Sequence, residues 1–249
     1  MKLPGFAALI GVVAFLMVMR GSSSGWAQTP GAAHATPGVA VAPDEAMRRL
    51  RDGNARFVGQ TATNAHRDAA RRGELARAQR PFAVVLGCAD SRVPPEVIFD
   101  QGLGDLFVVR VAGEVASPEV IGSIEYAAEH LGCRTVIVLG HQRCGAVEAA
   151  MDALAHGGAT PEGDLGGLIR EIEPSLEKID RSKPDAMEEA VKADAVAVAG
   201  RLATRSKMLG GLVQTGEMVI TPACYSLESG RVEFMAQVRA AKGEGKPSH

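Results

Sequence analysis

Phe82-Ala83-Val84-Val85-Leu86-Gly87-Cys88-Ala89-Asp90-Ser91-Arg92 runs from an apolar stretch straight into a group of reactive side chains. Further along, Thr135-Val136-Ile137-Val138-Leu139-Gly140-His141-Gln142-Arg143-Cys144 does the same. Short continuous apolar runs of this kind read as strands buried on both faces, which is the habit of a parallel sheet. Ligands in such sheets bind outside the carboxyl ends of the strands, and Cys88 and His141 stand at those ends. Two Cys and one His form a zinc-ligand set, and three protein ligands leave one coordination position open, as catalytic zinc requires. Asp90 and Arg92 share the first loop, in reach of that open position.

The surrounding sequence alternates strands with helices. Pro43-Asp44-Glu45 starts a helix with acids at the favourable end of its dipole. Thr61 to Gln79 is polar and Arg-rich, a surface stretch of helix and loop. Phe82 to Gly87 is the first strand, Pro94-Pro95-Glu96 opens a short helix, and Leu106 to Val111 is the second strand. Ser117-Pro118-Glu119 begins a helix that Gly132 stops, and Arg134 to Gly140 is the third strand. Helices are expected over Ala146 to His156, Leu165 to Ile179 and Ala186 to Lys207. Glu217 to Ala223 and Arg231 to Gln237 close the chain as two strands joined by a turn at Glu228-Ser229-Gly230. The expected fold is α/β: a mostly parallel β-sheet with an antiparallel C-terminal edge strand, flanked by helices on both sides.

Ahead of this domain, Phe6 to Met19 is apolar apart from Gly11, after a charged start. Gly25 and Ala27 are small residues at the two positions that a signal peptidase reads. Residues 1–27 are therefore expected to be a signal peptide cleaved near Ala27, which places the protein in the periplasm or outside the cell. An uncleaved anchor is the competing reading, but the run is shorter than the roughly 20 residues of a spanning helix. No stable membrane span is expected after signal removal. Residues 28–42 form a Pro-, Gly- and Ala-rich leader, 43–240 the domain, and 241–249 a polar tail.

Losing Lys2 and Arg20 with the signal leaves 25 basic against 29 acidic side chains, a net charge near −4. With no basic stripe and only 4% aromatics, nucleic acid is not an expected partner. The four cysteines, Cys88, Cys133, Cys144 and Cys224, are too sparse to staple a domain this large, even in an oxidising compartment. Cys133 and Cys224 read as buried free thiols, with a mutual disulfide as the alternative. His34, His66, His130, His156 and His249 stand in polar or terminal contexts and read as solvated.

Cys88 or Cys144 alone would read as a buried thiol, and His141 alone as a core histidine. As a set at two strand ends, with Asp90 and Arg92 attached, they read as a metal site. Thiolates donate more electron density than imidazoles, leaving zinc a weaker Lewis acid than three His would. Asp90 compensates by accepting a hydrogen bond from the zinc-bound water or hydroxide, while Arg92 holds Asp90 in place and ionised. A hydroxide so oriented has a lone pair free to attack an electrophilic carbon. Asp90 has a second option: it can swing onto the metal and close a four-ligand shell.

These residues carry a family likeness. From about Asp44 to Gln237 the chain resembles the β-class carbonic anhydrases, through the paired motifs C-x-D-x-R and H-x-x-C. The words Ala89-Asp90-Ser91-Arg92-Val93-Pro94, Val108-Val109-Arg110, Ile124-Glu125-Tyr126-Ala127 and Cys144-Gly145-Ala146-Val147 are similar as well. The resemblance implies one zinc ion per subunit on Cys88, His141 and Cys144. Asp90 would be the fourth ligand in a closed form or the partner of Arg92 in an active one. It implies reversible hydration of carbon dioxide to bicarbonate and a proton, in a homodimer or dimer of dimers whose pocket is lined from both subunits. Gln79 matches a substrate-contacting Gln, and Phe107 and Tyr126 match apolar wall positions.

Two departures are visible: Glu114 stands where many relatives carry Asn, and Gln142 where Ser or Thr is common. The Trp of the regulatory bicarbonate pocket in some members is replaced by Val85, so no such regulation is expected and the site should be active near neutral pH. Hydrolysis of carbonyl sulfide or carbon disulfide on the same site is an alternative that pocket-entrance residues would decide. A non-catalytic zinc-binding protein of the same fold is another, but a structural site does not need Asp90 and Arg92.

Overall fold

The computed structural model describes residues 40–238. The expected signal peptide, nearly all of the leader, the polar tail, His34 and His249 lie outside the described residues. Five strands form one sheet in the order β2-β1-β3-β4-β5. They are β1 (Ala83–Gly87), β2 (Leu106–Arg110), β3 (Thr135–His141), β4 (Val219–Tyr225) and β5 (Val232–Phe234). The first four are parallel, and β5 pairs antiparallel with β4 at the edge. The α/β fold expected from the sequence is the one observed.

Every residue of β1 and β3 is buried. Along β1, Ala83 and Val85 face one apolar cluster while Val84 and Leu86 face the other. Both faces being apolar is why these strands show no polar alternation in sequence. On one face lie α1 (Pro43–Val58), α3 (Pro95–Ile98), α5 (Gly145–Ala155) and α6 (Asp164–Leu176). On the other lie α4 (Pro118–His130) and α8 (Lys207–Gln214), and α7 (Ala186–Arg205) contributes to both. The short α2 (Ala69–Leu75) is capped by the Asp68 carboxylate, which accepts from the Arg71 amide. Among the described residues, no helix is long and apolar enough to cross a membrane.

Local chemistry explains these elements. Ser117 caps α4 by accepting from the Val120 amide, with Pro118 in the first turn. Gly132, at φ +71°, turns the chain towards β3. Helix α1 buries Ala46, Met47, Leu50 and Gly53 at helical spacing. At Gly53 the Phe99 carbonyl oxygen lies 1.8 Å from where a Cβ would sit, so only glycine allows this approach.

Two expected elements differ. The helix expected over Ala186 to Lys207 breaks at Ser206, whose backbone is extended (φ −103°, ψ 115°). The Ser206 hydroxyl caps α8 by accepting from the Leu209 amide and donates to Glu125 at 2.6 Å. A Ser at a helix start is favoured for this reason. The last strand is shorter than Arg231 to Gln237, because Pro222 in β4 has no N–H to offer the ladder. Pairing stops at Ala223–Phe234 and resumes only as a single bridge between Ile220 and Val238.

Candidate metal centre

Cys88 follows directly on β1, His141 ends β3, and Cys144 caps the start of α5 after a tight turn in which Arg143 takes φ +52°. Because β1 and β3 are parallel neighbours, these ends lie side by side. All three side chains are buried, and their ligand atoms lie within 4.8 Å of one another. The two sulfurs are 4.0 Å apart, far beyond a disulfide bond of about 2.05 Å. Two sulfurs on one tetrahedral zinc stand about 3.8 Å apart, given bonds of about 2.3 Å.

The imidazole is set for a metal. His141 Nδ1 lies 2.9 Å from the Gln142 carbonyl oxygen, which fixes the ring with Nε2 towards the sulfurs. Nε2 is buried and has no hydrogen-bond partner. A buried ring nitrogen left unpaired beside two thiols fits a zinc ligand.

The sulfurs couple to one another. The hydrogen bond with Cys144 pushes the Cys88 thiol down, helped by His141 and by the amides of Gly113 and Asp90. The same pairing pushes the Cys144 thiol up. One proton shared between facing sulfurs behaves in this way, and a divalent cation lets both ionise.

Asp90 and Arg92 form a tight unit. Arg92 donates to Asp90 Oδ1 through its backbone amide and Nε, each at 2.9 Å, and to Oδ2 through Nη2 at 2.6 Å. The Arg92 guanidinium holds the Asp90 carboxyl well below the usual carboxylate range. Asp90 Oδ2 is 3.9 Å from His141 Nε2, beside the three ligand atoms. Arg92 Nη2 also reaches the Arg143 carbonyl at 3.3 Å, tying the two motif loops together.

A second arginine does work that the sequence did not reveal. Arg110, at the end of β2, donates from Nε to the Cys88 carbonyl at 2.9 Å and from Nη2 to the Asp90 carbonyl at 2.5 Å. Its sequence signals are its place in the word Val108-Val109-Arg110 and a charge closing an apolar strand, and neither says what it holds. Gly113 donates its amide to Cys88 Sγ at 3.4 Å from a 3-10 turn over Ala112–Glu114, an element the sequence reading did not contain.

Other expected site residues lie elsewhere in the chain. Gln79 is exposed on the segment before β1. Phe107 and Tyr126 pair with each other at 6.4 Å, and Phe107 packs against the cluster that holds Val84 and Leu86. Cys88 and Cys144 belong to the opposite cluster. Cys133 and Cys224 are buried free thiols on opposite faces of the sheet. His66 pairs with Asp105, His130 stacks on Tyr126, and His156 meets the Asp152 carbonyl, all three being exposed.

Residues 83–232 match the sequence model of the family described as carbonic anhydrase. The chain belongs to the carbonic anhydrase family. It is 41% identical over 199 residues to a carbonic anhydrase of Mycolicibacterium smegmatis, covering 79% of this chain and 95% of that protein. Carbonic anhydrase 2 of Mycobacterium tuberculosis is 40% identical over 192 residues, covering 76% and 91%. The fold is that of the β-class. A Coccomyxa β-carbonic anhydrase solved with acetazolamide superposes with TM-score 0.60 at 22% identity, covering 75% of this chain and 85% of its own. A tetrameric β-carbonic anhydrase of Sordaria macrospora superposes with TM-score 0.59 at 20% identity, covering 77% and 98%. This carbonic anhydrase thus carries its Cys-His-Cys group at the strand ends where the paired motifs stand.

Proposed function

We propose that this enzyme hydrates carbon dioxide reversibly at a zinc ion held by Cys88, His141 and Cys144, with Asp90 and Arg92 as its orienting pair. The observation that carries the reading is Asp90 locked on Arg92 by three hydrogen bonds, beside the ligand group. Zinc, when bound, supplies Lewis acidity that brings water ionisation towards neutral pH. Asp90, held ionised by Arg92, accepts a hydrogen bond from the attacking water. The water's lone pair is then turned towards the carbon of the substrate. Oxygen bonds to that carbon, one C=O π pair moves onto oxygen, and a proton leaves with bicarbonate as the product. Arg110 fixes the loop backbone at Cys88 and Asp90, so the orienting pair cannot drift.

Gln79, Phe107 and Tyr126 act in this reading as pocket residues offered to a second subunit. The exposure of Gln79 and of Tyr126 at 41% supports this, because both leave surface for a partner to cover. We take the working form as a homodimer or dimer of dimers, in line with the tetrameric Sordaria relative. The apolar run of Phe6 to Met19 and the small residues at Gly25 and Ala27 support export and cleavage near Ala27.

Stopped-flow carbon dioxide hydration by zinc-loaded wild type and Asp90→Asn tests the reading. The variant should keep its zinc and lose about a hundredfold or more in kcat/KM, as a lost proton-handling group does. An inactive zinc-loaded wild type, or an Asp90→Asn variant as fast as wild type, would sink it. Running carbonyl sulfide alongside distinguishes the sister hydrolase activity.

A further inference from the structure

Glu114 breaks three local rules at once. It takes a left-handed backbone at φ +39°, directly after Gly113 at φ +64°. Such a conformation is strained for a non-glycine residue. It is an acid only 1% exposed in the described chain. Neither carboxyl oxygen has a hydrogen-bond partner. Local strain and unpaired buried polar groups together mark a position held for a purpose.

Its surroundings say what that purpose is. The turn Ala112–Glu114 sits against both motif loops. Its middle amide, on Gly113, donates to Cys88 Sγ, and the Glu114 amide donates to the Val111 carbonyl at 3.0 Å. The Glu114 side chain reaches the other strand. Its Oε1 lies 3.0 Å from where a Cβ on Gly140 would be, one residue before His141. The carboxyl therefore fills the gap between the turn that serves Cys88 and the strand end that carries His141. Gly113 itself is closed in by Ile172 and Ala146, 2.6 and 3.1 Å from its own absent Cβ, so the turn is clamped from two helices. Burial, with the charges of Asp194 on α7 and of Cys88, pushes the Glu114 carboxyl far above the usual range.

We propose that Glu114 is a positioning residue of the metal centre: wedged against Gly140, it holds the Ala112–Glu114 turn so that the Gly113 N–H points at Cys88 Sγ and draws electron density from that thiolate. Zinc under two thiolates is a weak Lewis acid, and an N–H donated to sulfur offsets this from outside the ligand set. The inference rests on the zinc reading above and deepens it.

The test uses the full-length wild type and Glu114→Gln, Glu114→Ala and Glu114→Asp, each loaded with zinc and, separately, with cobalt(II). Three readouts are taken: the cobalt–thiolate charge-transfer band, the rate of zinc loss to a chelator, and the pH midpoint of carbon dioxide hydration. Gln keeps the shape that fills the gap at Gly140, and should match wild type in all three. Ala removes the wedge. It should shift the band, raise the pH midpoint, and release zinc about tenfold faster, as lost outer-shell support does. Asp tolerates the left-handed backbone but is too short to reach Gly140, so it should behave like Ala and replaces it if Ala does not fold. Wild-type behaviour from the shortened variants, or Gln as damaged as Ala, overturns the proposal. No thiolate band in wild type would overturn the zinc reading itself, and the inference with it.

Discussion

Gly140→Ala places a methyl group where the two motif loops meet. The new Cβ would lie 3.0 Å from Glu114 Oε1, 3.2 Å from the Val191 carbonyl oxygen and 3.4 Å from Ala195 Cβ. The Glu114 carboxyl is the end of a side chain and can yield by a few tenths of an ångström. The Val191 carbonyl belongs to the backbone of α7, packed on both core clusters, and cannot yield so easily. Overpacking by one methyl in such a place costs about 2 kcal/mol. Restricting the unfolded chain returns about 0.7 kcal/mol. The net loss is about 1 kcal/mol, which lowers Tm by about 3 °C in a domain of this size. Because β3 must move, the His141 ring moves with it, and zinc should leave faster. Thermal unfolding and chelator-driven zinc release on wild type, Gly140→Ala, Glu114→Ala and the double variant measure both effects. The double variant should recover part of the Gly140→Ala loss, with a coupling of about 0.5 kcal/mol or more. A Tm at or above wild type with unchanged zinc release, or strict additivity in the double variant, refutes the reasoning.

Arg92→Lys keeps the charge but cannot span both Asp90 oxygens, so hydration should fall by up to about a hundredfold through misplacement of the carboxylate; stopped-flow rates equal to wild type would contradict this. Asp100 accepts from Arg56 at 2.6 Å, from the Thr63 amide and hydroxyl at 2.9 Å and from the Asn64 amide at 3.0 Å. Burial alone would raise its carboxyl, but the Thr63, Arg56 and Asn64 donors prevail and hold it well below the usual range. That stability is complete above the ordinary carboxylate pKa of about 4 and is lost as pH falls below it. Asp100→Ala should cost about 2 kcal/mol by urea unfolding at neutral pH, since Arg56 is partly exposed, and should flatten the acid side of the stability curve. Burial pushes the Cys133 and Cys224 thiols up to about 12. A thiol reagent should therefore find two further cysteines, Cys88 and Cys144, when zinc is chelated, and the other two only on unfolding; no gain on chelation would count against the zinc reading.

Strands β1 and β3 were legible in sequence because both their faces are buried, which forces continuous apolar runs. The capped start of α4 was legible because Ser117 and Pro118 act on their own neighbours. The break at Ser206 was not, because the surrounding residues suit one long helix. What ends it is partly the long-range bond from Ser206 to Glu125. Likewise the word Val108-Val109-Arg110 marks Arg110 but not its targets, the carbonyls of Cys88 and Asp90 beyond the neighbouring strand end.

The sequence by itself determined the chemistry available: two thiols and an imidazole at the ends of two apolar strands, with a carboxylate and a guanidinium two residues apart. Donor type and spacing along the chain are local properties, and they are written in the residues. Only the tertiary structure decided the parallel pairing that brings Cys88 to Cys144 and His141. It alone placed the Asp90 carboxylate 3.9 Å from His141 Nε2, beside the two sulfurs. It alone set Glu114, strained and buried, between the turn at Gly113 and the end of β3. Those facts depend on which distant segments pack together, and packing follows from the whole core.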